Sequence, residues 1–89
     1  MDEQKINGRR VFIQRDLNFI NRLTITPARI TIKLVKTDRE QEDKVINFFL
    51  TIADEFMGYP RALRGFLGQD NDLILRDNQH NIIKKIKYN

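Results

Sequence analysis

Residues 37–58 read Thr37-Asp38-Arg39-Glu40-Gln41-Glu42-Asp43-Lys44-Val45-Ile46-Asn47-Phe48-Phe49-Leu50-Thr51-Ile52-Ala53-Asp54-Glu55-Phe56-Met57-Gly58. Val45, Phe49, Ile52 and Phe56 recur at helical spacing, and Ile46, Leu50, Ala53 and Met57 widen the stripe. Glu40, Lys44, Asn47, Thr51 and Asp54 fall on the other side. The pattern predicts one amphipathic helix, Asp38 through Met57. Thr37 and Glu40 have the spacing of a capping box, in which each side chain satisfies the other's free amide. The acids of the first turns suit the positive end of the helix dipole. Gly58 is expected to close the helix in the left-handed conformation, with Pro60 preventing its resumption.

Other elements follow from this helix. Ala28–Lys36 alternates: Ile30, Ile32 and Leu34 on one side, Arg29, Thr31, Lys33 and Val35 on the other. That is a strand with one buried and one wet, basic face. Residues 9–15, charged at both ends around Val11-Phe12-Ile13, predict a second strand. Leu73–Arg76 and Ile82–Tyr88, joined by Asp77-Asn78-Gln79-His80-Asn81, predict a hairpin whose turn residues satisfy backbone amides. Residues 16–23 read as a short helix started by Asp16. Residues 59–68 read as another, with Pro60 at its first position, Gly68 past its end, and Leu63, Phe66 and Leu67 on one face. Residues 1–8 read as a flexible N-terminus ending in the turn pair Asn7-Gly8. The expected fold is α+β: a mostly antiparallel sheet of about four strands packed against the long helix, with one or two short helices, as one domain over 9–89.

Composition narrows the chemistry. The 89 residues carry a net charge of +4, with 16 Lys and Arg against 12 Asp and Glu. Residues 38–57 hold Asp38, Glu40, Glu42, Asp43, Asp54 and Glu55 against Arg39 and Lys44, a net of −4, so the remainder carries +8. An acidic helix beside a basic remainder suits an anionic partner on the sheet side. There is no cysteine, tryptophan or serine, so neither thiolate chemistry nor a serine nucleophile is available. A polar start, Met1-Asp2-Glu3-Gln4-Lys5, and the lack of a long apolar run predict a cytoplasmic protein with no membrane association.

Candidate sites follow from this charge separation. Arg29, Lys33, Arg76, Lys85 and Lys87 are expected on the open sheet face, where lysines and arginines neutralise phosphates. Phe12 and Tyr88 are the aromatics that could stack bases there. Arg61 and Arg64, three apart near a helix start, are secondary phosphate contacts. The acids Asp70, Asp72 and Asp77 lack the spacing of a calcium loop. His80, the one histidine, sits in a turn without an orienting partner. Glu42-Asp43-Lys44 superficially resembles a nuclease acid–lysine pair, but helix-start electrostatics account for it.

The expectation is a small, non-catalytic, basic binding module for nucleic acid, with no metal or cofactor. The alternative is a regulatory subunit or homodimeric adaptor using an apolar surplus around Phe48, Tyr59 and Phe66, its basic face steering an acidic protein.

Overall fold

The computed structural model describes residues 2–6, 8–16, 20–35, 39–67 and 72–88. Their elements run β1 (Asp2–Ile6), β2 (Arg9–Asp16), β3 (Asn21–Ile25), β4 (Arg29–Val35), α1 (Arg39–Glu55), β5 (Leu63–Leu67), β6 (Asp72–Asp77) and β7 (Ile82–Lys87). All seven strands join one sheet in the order β1-β2-β4-β3-β5-β6-β7. The β2–β4 pair is parallel and the other pairs are antiparallel.

This overturns the expectation of about four strands with short helices. The long helix and the four expected strands are present, as α1, β2, β4, β6 and β7. Two segments expected as short helices contribute strands: Asn21–Ile25 is β3, and Leu63–Leu67 is β5. Asp2–Ile6, expected in a flexible terminus, forms edge strand β1, with Gly8 at φ 78° in the turn to β2.

Alternation sets the two faces. Val11 and Ile13 of β2, Ile30, Ile32 and Leu34 of β4, Leu23 and Ile25 of β3, Leu63 and Leu67 of β5, and Leu73 and Leu75 of β6 are buried beneath Val45, Phe49, Ile52 and Ala53 of α1. Burying each larger side chain contributes roughly 1.5–3 kcal/mol before entropy is charged. The helix lies over β4 and β3. Side chains from β2 and from β7, five strands further along the order, also reach its C-terminal end. Five strand spacings of ~4.8 Å span ~24 Å in a flat sheet, so the sheet curls round the helix. The helix occupies the concave side, and the other face is convex.

The helix ends without a left-handed glycine. Gly8, not Gly58, is the glycine at positive φ among the described residues. The Phe56 amide donates to Ile52 O at 3.2 Å and the Met57 amide to Asp54 O at 3.4 Å, which tightens the last turn and skips the Ala53 carbonyl. Arg9 supplies the missing donor, from Nη1 at 3.0 Å, and its Nη2 donates to Met57 O. The Thr37–Glu40 capping box lies outside the described residues.

Candidate functional site

The register sorts the cations by face. On the helix side each described cation of the strands has a partner. Arg9 is buried against the end of α1. Arg15 Nε donates to both Glu42 carboxylate oxygens, at 3.0 and 3.1 Å. Lys84, which faces inward opposite buried Leu75, pairs with Glu55. These charges are committed to holding the helix on the sheet.

The convex face is different. Three cross-strand rows run along it. Lys5, Arg10 and Arg29 form the first. Glu3, Phe12, Thr31, Thr24, Arg64, Arg76 and Ile82 form the second. Gln14, Lys33, Arg22, Phe66, Ile74 and Lys85 form the third. Lys87 stands opposite Asp72 at the far edge. Arg10 is paired to Glu3 at 2.8 Å. Arg22, Arg29, Lys33, Arg64, Lys85 and Lys87 make no ion pair with a described residue.

Two aromatic rings lie among these charges. The Arg10 and Arg29 guanidiniums sit 5.1 and 5.3 Å from the Phe12 ring centroid. The Arg22 guanidinium lies 4.8 Å from that of Phe66, and its shielded Nε has no hydrogen-bond partner. Each ring lines a depression. One, of about 340 Å³, is walled by Phe12, Gln14, Thr24, Arg29, Thr31 and Lys33. The other, of about 160 Å³, is walled by Phe66, Arg64, Arg76 and the turn residues Asp77, Asn78 and His80.

That turn is built by Asp77. Its Oδ1 accepts from the amides of Gln79 at 2.9 Å and Asn81 at 3.0 Å, and His80 takes φ 66°. Arg76 Nη1 donates to His80 O at 3.0 Å, tying the turn to the face. Burial raises the Asp77 carboxyl's pKa, but the Asn81 and Gln79 amides, the Asn81 side chain and the Arg61 guanidinium together bring it below the ordinary value.

The expected cations Arg29, Lys33, Arg64, Arg76, Lys85 and Lys87 thus share the convex face. Arg61 does not: it precedes β5, 3.8 Å from Asp77 on the helix side and 5.9 Å from the Tyr59 ring. With residues 63–67 in a strand, the expected phosphate site at a helix start beside Arg61 and Arg64 does not exist. Phe48, Tyr59 and Phe66 form no common patch. Phe48 packs edge-on against Tyr88 at 5.0 Å, Tyr59 packs against Phe56, and Phe66 is on the opposite face. Tyr88 is therefore a helix-side residue, and Phe66 lies on the convex face. Sequence reasoning missed Lys5, Arg10 and Arg22, whose position depends on strand pairing. Among the described residues no cluster of acids and histidine could hold a metal, and no helix is long and apolar enough to cross a membrane. Asp70 lies outside the described residues.

Comparison with protein-family models, with curated proteins and with solved structures finds no match.

Proposed function

We propose that this chain is a small, non-catalytic nucleic-acid-binding module whose convex sheet face takes the phosphates. The observation that carries this reading is the unequal use of its cations. Arg9, Arg15 and Lys84 on the helix side each have a structural partner, whereas Arg22, Arg29, Lys33, Arg64, Lys85 and Lys87 make no ion pair with a described acid. Like charges gathered on one surface repel, and a polyanion relieves that repulsion while releasing its own counterions.

The test is an anisotropy titration of labelled DNA and RNA against the full chain at two salt concentrations. Affinity should fall steeply as salt rises, each phosphate contact contributing a slope of about 0.7 to 0.9. Failure of both polymers to bind at low salt would reject the reading.

A further inference from the structure

We infer that the polyanion is a single-stranded nucleic acid, with bases stacked at Phe12 and Phe66; this rests on the function proposed above. Three independent features converge on it.

The first is shape. The cations lie on the convex side of a sheet curled round its helix. A duplex is also convex, and stiff over ~50 nm, so it touches such a surface along a narrow strip and reaches few of these charges. A single strand bends freely and can follow the curve across all three rows.

The second is the placement of the rings. A phenylalanine on a wet strand face stabilises little by itself, yet Phe66 is 43% exposed. Each ring stands at a depression that opens on the convex face. Bases present a π-face whatever their identity, and aromatic side chains on sheets are the surfaces on which unpaired bases stack. Phe12 and Phe66 are separated by three strand spacings and one row along the strands, ~16 Å, so they would hold bases that are not adjacent in the strand. In a duplex those faces are already occupied by neighbouring bases.

The third is the set of groups beside each ring. Arg29 and Lys33 flank Phe12, and Arg64 and Arg76 flank Phe66, placing charge where the phosphates of a stacked nucleotide must go. Gln14, Thr24 and Thr31 at one ring, and Asn78 and His80 at the other, offer donors and acceptors to base edges. The exposed Arg29 can swing from the Phe12 ring to a phosphate, whereas Arg10 is held by Glu3.

The experiment compares labelled single strands of about 12 nucleotides, one of RNA and one of DNA, with a duplex of equal length. Wild type, Phe12→Leu and Phe66→Leu are titrated at low salt. Leucine keeps the apolar contact and removes the π-face, and thermal melts confirm that each variant is folded. In parallel, the ring-proton resonances of wild-type Phe12 and Phe66 are followed by NMR, which needs no variant. The expected result is tighter binding of a single strand than of the duplex. Each leucine variant should lose about 5- to 100-fold in single-strand affinity with its salt slope unchanged, and both rings should shift upfield on binding. The relative affinity of the RNA and DNA strands shows which sugar is accommodated. Equal or tighter binding of the duplex, unaffected leucine variants, or unshifted rings would each overturn the inference while leaving a basic-face binder standing. Absence of all binding would overturn that reading as well.

Discussion

Arg9 Nη1 donates to the Ala53 carbonyl at 3.0 Å, joining the first residue of β2 to the last turn of α1. The contact spans 44 residues of sequence. The last turn of α1 has no basic residue of its own, so Arg9 is also the cation that complements the negative end of the helix dipole. At the other end, Arg15 of β2 grips Glu42 of the first turns. β2 therefore runs antiparallel to the helix and holds both of its ends.

Replacing Arg9 by alanine strands two carbonyls, one of them shielded at the helix end. A hydrogen bond from a charged donor is worth about 1.5–3 kcal/mol, and the part-buried Met57 carbonyl can turn to water, so Arg9→Ala should lower stability by about 1.5–3 kcal/mol, chiefly through the buried Ala53 carbonyl. Arg9→Lys should recover only part of this, because an ammonium lacks the fork that reaches both carbonyls. Urea unfolding should show a lower midpoint with an unchanged slope. An unchanged midpoint for Arg9→Ala would remove the clamp from the account.

Gly65 sets a limit on the core. A Cβ there would lie 3.0 Å from Leu73 Cδ1 and 3.1 Å from its Cγ, and Leu73 is fully buried. Gly65→Val should destabilise by about 1–3 kcal/mol through overpacking. Adding Leu73→Ala should cost less in the Gly65→Val background than in wild type, because the space is then used. Additive effects in a double-mutant cycle would contradict this packing.

Asp77 gives stability a pH dependence. Its folded pKa lies below the ordinary 3.8, so its contribution is fully present above that value and is lost as pH falls through the folded pKa. Acid unfolding followed by circular dichroism should show wild type losing stability below about pH 4. Asp77→Asn should be less stable at neutral pH and flatter through that acid range. A mutant with the wild-type acid profile would show that the carboxylate's bonds to the Gln79 and Asn81 amides do not matter.

The elements legible in the sequence were α1, by its helical apolar period; β2 and β4, by apolar residues at alternate positions; and the β6–β7 hairpin, by the turn residues between its two apolar runs. β5 was misread because Gly65 takes a buried, inward position without an apolar side chain. Leu63, Phe66 and Leu67 then mimic helical spacing, although Phe66 points away from the other two. β3 was hidden by Asn21, whose polar side chain seemed to break the alternation. Its Oδ1 accepts from the Val35 amide at 2.8 Å, taking over where the β3–β4 ladder stops. β1 has no apolar pattern, as suits an edge strand. The basic face was legible in part, since alternation alone places Arg29 and Lys33 away from Ile30 and Ile32. Arg10, Arg22 and Phe66 join it only through pairings across the sheet, including the parallel β2–β4 pair, which no local pattern announces.

Lys84 and Lys85 are neighbours in sequence on opposite faces of β7, one paired to Glu55 and one unpaired on the convex side. They make the sharpest comparison for the binding claim. Affinity for single-stranded nucleic acid should be measured against salt for wild type, Lys84→Ala and Lys85→Ala. Lys85→Ala should bind more weakly at low salt and lose about 0.7 from the salt slope, while Lys84→Ala should match wild type. Equal losses from both substitutions, or no binding by wild type at low salt, would contradict a phosphate-binding convex face.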